Sequence, residues 1–249
     1  MIEAFIFDVD GTLADTERHG HRVAFNQAFA EAGLDWHWDE DTYGDLLAVT
    51  GGKERIRHFV QTRDLPQHRD PQLDALIRDL HASKTRNYLE LLESNAIPLR
   101  PGVERLLREA RAAGIRLAIA TTTTPQNVTA LLANALGDHG LGWFEVIGAG
   151  DVVPRKKPAP DIYRYVLEKM RLDARHCLAF EDSGNGLRAS LGAGLKTVIT
   201  RNGYTRDDDF TGAALVLDSL GDTEHPSQVL RRQYGRDCLC VTTLLQLLN

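Results

Sequence analysis

The sequence predicts an α/β fold: a parallel sheet with helices on both faces, broken early by an inserted all-helical unit. Three observations carry this reading. Residues 2–7 are a short, nearly unbroken apolar run that stops at a carboxylate, the pattern of a strand buried on both faces. From about residue 99 onward, short apolar runs alternate with amphipathic segments of helical period, as the strands and crossover helices of a parallel sheet do. Between the two, from about residue 36 to 95, the pattern stays helical without a convincing buried strand.

In chain order, residues 2–7 predict the first strand with Asp8 at its C-terminal tip, and open parallel sheets bind ligands along that edge. Asp10 points the same way as Asp8 in extended geometry, Gly11 lets the backbone turn, and Thr12 offers a hydroxyl. Residues 18–32 carry Val23, Ala24, Phe25, Ala28, Phe29 and Ala32 at helical spacing and close on Gly33. Thr50-Gly51-Gly52-Lys53-Glu54-Arg55 lies inside the helical stretch. Its paired glycines admit backbone N–H groups to an anion, and Lys53 and Arg55 add charge; a plain loop running into a helix with solvated charges reads the same way. A helix over 72–93 places Leu73, Ile77, Leu80, Lys84, Tyr88 and Leu91 on one face. Lys84 therefore stands in an apolar stripe, either snorkelling to the surface or turned inward towards a ligand. Leu99-Arg100-Pro101-Gly102 marks the return to the sheet. The order is then helix 103–113, strand 115–120 ending in the threonines 121–124, helix 125–135 and strand 143–147. Helix 160–170, strand 177–180 ending in Glu181-Asp182, helix 187–193, strand 196–200 and a short strand 214–217 follow. Beyond Gly221, residues 229–234 and 239–248 predict helix packed on the core.

A chain of 249 residues with 43% hydrophobic content has room for one large domain, or for a core with a smaller insert. No run approaches the roughly 18 consecutive apolar residues of a membrane span, and a strand starting at residue 2 leaves no space for a leader; a cytoplasmic protein without a membrane partner is expected. The formal net charge of −6 argues against a nucleic-acid partner, which asks for a basic face, so an anionic substrate would need a local basic pocket. Cys177 opens an apolar run and reads as a small buried hydrophobe, while Cys238 and Cys240 lack further ligands at zinc spacing. No exposed apolar stripe stands out, and a monomer is expected.

Polar residues recur where strands end: Asp8 and Asp10, Thr121, and the pair Glu181 and Asp182, with Lys157 in a loop leading into a helix. An acidic D-x-D-G stretch also occurs in ordinary turns and in calcium loops. An EF-hand loop counted from Asp8 would need a Glu at its twelfth position, where His19 stands, and a helix rather than a strand before it. Strand ends are commonly polar, but an acid, a hydroxyl, a lysine and an acid pair in that order form a much narrower pattern.

That order resembles the haloacid dehalogenase-like hydrolases, whose four motifs are matched by Asp8-Val9-Asp10-Gly11-Thr12, Thr121, Lys157 and Glu181-Asp182-Ser183. The resemblance implies a three-layer, Rossmann-like parallel-sheet core of residues 1–14 and 97–249, with a helical cap domain of residues 15–96. Within the family the chain resembles most the CbbY group, phosphatases that remove the 1-phosphate of xylulose-1,5-bisphosphate. Asp15-Thr16-Glu17, Thr50-Gly51-Gly52-Lys53-Glu54-Arg55-Ile56, residues 121–124, Lys156-Lys157-Pro158 and Asn202-Gly203-Tyr204-Thr205 carry that closer likeness. One departure is local: the group often has a histidine one residue nearer Glu17 than His21 is, so an inserted residue shifts its aim.

The resemblance implies a Mg2+-dependent phosphatase of a small sugar bisphosphate. Asp8 is the expected nucleophile and Asp10 the acid and base at the leaving and attacking oxygens. Asp8, the backbone carbonyl of Asp10 and Asp182 would hold Mg2+, with Glu181 acting through water. Lys157 would keep Asp8 ionised, and Thr121 would donate to a phosphoryl oxygen. Gly51, Gly52, Lys53, Arg55 and Lys84 would grip a second phosphate, Glu17 and His21 would contact hydroxyls, and Thr122 and Thr123 complete the expected substrate contacts. A sugar-phosphate mutase of the β-phosphoglucomutase kind uses the same motifs and stays open, as does a phosphoglycolate phosphatase, although the cap cations exceed the needs of so small a substrate. A phospho-acceptor receiver domain also sets acids, a Thr and a Lys at strand tips, but is about half as long and has no cap.

Overall fold

The computed structural model describes residues 2–94, 97–137 and 139–248 and divides into two compact units, one of residues Met1–Asp15 with Pro98–Asn249, the other Thr16–Ile97. The sheet belongs to the first. Strand β1 is Ala4–Phe7, and the helical unit, with α1 Arg22–Glu31, α2 Glu40–Leu46, α3 Gly52–Thr62 and α4 Leu73–Glu93, follows it in the chain. The chain then continues as α5 Val103–Ala112, β2 Arg116–Ala120, α6 Pro125–Leu136, β3 Phe144–Gly148 and α7 Asp161–Met170. It ends with β4 Cys177–Glu181, α8 Gly184–Gly192, β5 Lys196–Thr200, β6 Leu215–Leu217, α9 Gln228–Tyr234 and α10 Val241–Leu248.

The six strands run in the order β3-β2-β1-β4-β5-β6 and every neighbouring pair is parallel. The strand order reverses beside β1, and the C-terminal tips of β1, β2 and β4 lie together at that switch point. Alternation along β1 explains why its residues are all apolar: Ala4 and Ile6 pack in a core with Ile162, Tyr163, Val166 and Met170 of α7. Phe5 and Phe7 share contacts with Phe180 of β4, and the Phe7 and Phe180 rings stack at 4.4 Å. The tail is tied to α5, as expected for packed helix. Arg105 donates to the carbonyls of Gly221 (3.0 Å) and Leu239 (3.1 Å), and Glu109 accepts from the first N–H of α10, on Val241. Asp218 caps α9 through the N–H of Gln228 at 2.8 Å.

In the helical unit, Phe25, Phe29, Trp36, Trp38, Tyr43 and Phe59 form an aromatic core. Three local expectations are corrected. The helix expected over residues 18–32 opens with a π turn, Glu17–His21, closed by the Arg22 N–H on the Glu17 carbonyl; a π turn holds one residue more than an α turn. Gly20 makes room for it, since a Cβ there would lie 2.7 Å from the Tyr88 ring. The stripe on α4 ends at buried Leu92, with Leu91 only half-buried. Helix α8 starts at Gly184, ahead of the expected 187, because Ser183 accepts from the Gly186 N–H and caps it. Residue 95, where the helical pattern was expected to end, and residue 96, the last of the expected cap, lie outside the described residues. Among the described residues no helix is long and apolar enough to cross a membrane.

Candidate active site

In the sheet unit, the tip of β1 delivers Asp8, the tip of β4 delivers Glu181 with Asp182 just beyond it, and the loop before α7 delivers Lys157; all four are buried. Lys157 Nζ donates to Asp8 Oδ1 and to Glu181 Oε1, each at 2.6 Å. Thr121, 1% exposed, follows β2, and its backbone N–H is held by the Gly148 carbonyl at 2.9 Å. Thr123 belongs to the same loop: its N–H reaches the Thr121 hydroxyl at 3.3 Å, and its own hydroxyl accepts from Asn127 at 2.9 Å. Thr122 lies between them, half-buried. Asp10 is half-buried and close enough for its charge to act on Asp8.

Gly11 is needed twice over. Its φ of +85° suits residues without a Cβ, and a Cβ would fall 2.2 Å from Asp182 Oδ2. Arg100 ties the loop down from behind, donating to the carbonyls of Gly11, Thr200 (2.6 Å), Arg201 (2.8 Å) and Asp218 (3.0 Å). Asn202 donates to Asp182 Oδ2 at 2.7 Å. Tyr163, fully buried on α7, donates to Glu181 Oε1 at 2.5 Å. Arg100, Asn202 and Tyr163 were given no site role from sequence. Asn202 belongs to the Asn202-Gly203-Tyr204-Thr205 stretch that carries the family likeness, and nothing in the sequence pattern sets Tyr163 apart.

Asp8, Glu181 and Asp182 each present an oxygen within 4.8 Å of the others. Burial pushes the Asp8 carboxyl up, with Glu181 and Asp10 adding to the effect and Lys157 opposing it, to about 7. Asp182 is pushed well up by burial and by Asp8 and Glu181. Burial works against the charge on Lys157, but Asp8 and Glu181 outweigh it and hold the ammonium protonated. Lys157 thus acts on Asp8 in the expected direction, favouring the carboxylate, while burial beside two further acids outweighs it and leaves room for another cation. An oxygen-only donor set with surplus negative charge fits a hard divalent cation.

The helical unit holds a second polar cluster. Tyr43 donates to Glu17 Oε2, and Arg55 Nη1 donates to the Tyr43 hydroxyl at 2.9 Å and lies 3.9 Å from Glu17. Lys84 does not snorkel: it is 5% exposed, bonds His21 Nδ1 at 2.7 Å, and lies over the Phe25 and Tyr88 rings at 5.1 and 5.0 Å. Gly51 has φ +101° and caps α3, on whose first turn Gly52 and half-buried Lys53 lie. Tyr43, buried among aromatics, was the residue missed here.

The family model for haloacid dehalogenase-like hydrolases matches residues 2–194. The chain is 52% identical over 225 residues to protein CbbY of Cupriavidus necator, covering 90% of this chain and 88% of the relative. It is 48% identical over 222 residues to protein CbbY of Cereibacter sphaeroides, covering 89% and 94%. Crystal structures of CbbY from Rhodobacter sphaeroides superpose with TM-scores of 0.80 for a phosphate complex and 0.81 for a variant in complex with xylulose-(1,5)-bisphosphate. Each is 47% identical and covers 88% of this chain and 95% of the other. A β-phosphoglucomutase from Clostridium difficile, 23% identical with a TM-score of 0.70 over 88% of this chain and 92% of its own, shares the fold.

Proposed function

Since this chain belongs to the haloacid dehalogenase-like hydrolases, we propose that it is a Mg2+-dependent phosphatase of a small sugar bisphosphate, converting xylulose-1,5-bisphosphate to xylulose 5-phosphate. The observation that carries the reading is the buried Asp8 at the tip of β1, bonded to Lys157 beside two further carboxylates. The substrate is suggested by the CbbY relatives and by the bisphosphate in one of them.

In this reading an oxygen of Asp8 attacks phosphorus, the bond from phosphorus to the sugar oxygen breaks, and Asp10 gives the departing alkoxide its proton. Asp10, now a carboxylate, takes a proton from water, which attacks the aspartyl-phosphate and frees inorganic phosphate and Asp8. Lys157 and Thr121 offset charge on the phosphoryl oxygens. Asp8, Asp182 and the Asp10 carbonyl, with Glu181 through water, would hold Mg2+, whose charge supplies what lets a carboxylate approach an anionic phosphate. Glu17, His21, Gly51, Gly52, Lys53, Arg55 and Lys84 select the sugar and its second phosphate, while Thr122 and Thr123 contact the phosphate being removed.

Phosphate release with Mg2+ is the test, from xylulose-1,5-bisphosphate, ribulose-1,5-bisphosphate, fructose-1,6-bisphosphate, phosphoglycolate and β-glucose-1-phosphate. Preference for xylulose-1,5-bisphosphate, lost in Asp8→Asn, is expected. Isomerisation of β-glucose-1-phosphate with little free phosphate would replace the phosphatase by a mutase.

A further inference from the structure

We propose that Tyr163 is a positioning residue of this centre, holding the Lys157–Glu181 pair from below with both its hydroxyl and its ring. The inference rests on the phosphatase reading above, and it concerns a side chain outside the four motifs.

Three observations meet at this side chain. Its hydroxyl donates to Glu181 Oε1 at 2.5 Å, the same oxygen that takes the Lys157 ammonium at 2.6 Å. Its ring lies under that ammonium, with Nζ 5.3 Å from the centroid. The residue is 0% exposed and rooted in the core formed by β1, β4 and α7, so it cannot follow a side chain that moves away. Two strong donors, an ammonium and a phenol hydroxyl, thus converge on Oε1 and fix its position. The other oxygen, Oε2, is pressed against Gly186 of α8, where a Cβ would lie 1.9 Å away. Clamped from both sides, Glu181 has one available orientation. That orientation sets where Lys157 stands, and Lys157 in turn sets Asp8. Without the hydroxyl, Oε1 keeps only the lysine as a strong donor, and the ammonium is drawn further towards Glu181 and away from Asp8.

Tyr163→Phe keeps the ring and its packing and removes only the hydroxyl. On the purified full chain, Mg2+ affinity is read by titration calorimetry, and kcat and KM with p-nitrophenyl phosphate. The Mg2+ Kd is expected to rise and kcat to fall threefold or more, on the order of tenfold, with KM within about twofold. Added to Glu181→Gln, Tyr163→Phe should change the Mg2+ Kd no further, because it acts through Glu181. The proposal is overturned if the Kd or kcat of a folded Tyr163→Phe protein stays within about threefold of the parent, or if the two substitutions add in full. Neither readout uses a sugar phosphate, so a failure of the bisphosphate reading and a failure of this one give different results.

Discussion

Glu181 can lie where it does because residue 186 has no side chain: an added Cβ would overlap its Oε2 at 1.9 Å and its Cδ at 2.1 Å. Gly186→Ala removes a poor helix former, a gain of about 1 kcal/mol in an open helix, and displaces the carboxylate. The expected outcome is a kcat lower by about two orders of magnitude with a melting temperature changed by only a few degrees, measured on the same preparation; parallel losses would point to general disruption. Lys84 raises the opposite question, a charge kept out of water between two rings. Lys84→Met retains the aliphatic stem, so stability should hold, while KM for the bisphosphate rises about tenfold and KM for p-nitrophenyl phosphate stays within about twofold. Equal effects on both substrates would remove Lys84 from the second-phosphate role. Asp8, Glu181, Asp182 and Lys84 were legible in the sequence because a charge ends or interrupts an apolar pattern, and Lys157 through its place in the motif order. Tyr163 and Tyr43 were not, since an aromatic on the inner face of a helix keeps the pattern, and only its hydroxyl partner reveals it.

At the scale of elements, Arg100 joins four pieces of backbone: the Gly11 turn, the end of β5, Arg201 and the stretch after β6. A planar fork with five N–H groups can reach these carbonyls together, and a lysine cannot. Arg100→Lys should lower unfolding free energy by about 2–4 kcal/mol in urea titrations, because the part-buried carbonyls of Gly11, Thr200 and Asp218 lose a donor. A loss below about 0.5 kcal/mol would show that water replaces the guanidinium freely. The strands and most helices could be placed from periodicity within a residue or two. The π turn at Glu17–His21 and the early start of α8 could not. In the first, Gly20 is accommodated by Tyr88 and Ile97 from distant parts of the chain; in the second, glycines that weaken a helix locally are required by Glu181.

For the molecule as a whole, the acid cluster sets a pH dependence. Burial raises the Asp8 carboxyl in the folded protein to about 7, against 3.8 for an exposed aspartate in the unfolded chain, so between about pH 4 and 7 the folded state holds a proton that the unfolded chain has released. Stability of the metal-free protein therefore falls as pH rises through that window, by a few kcal/mol at most, and Asp182 acts in the same direction. Carboxylates with lowered pKa, such as Asp218, titrate below it. Melts in a chelator should give a lower Tm at pH 8 than at pH 5, Mg2+ should restore more at pH 8, and Asp8→Asn should flatten the difference; a metal-free protein equally stable at both values would contradict the surplus negative charge. The α/β class, the strand tips and the acids that stand on them can be read from the linear chain, because apolar period and charge are local properties. Which of these groups touch, how many carboxylates share Lys157, and which tyrosine, arginine and glycines hold them were decided by the tertiary structure, since each depends on strands brought together in an order the linear chain does not display.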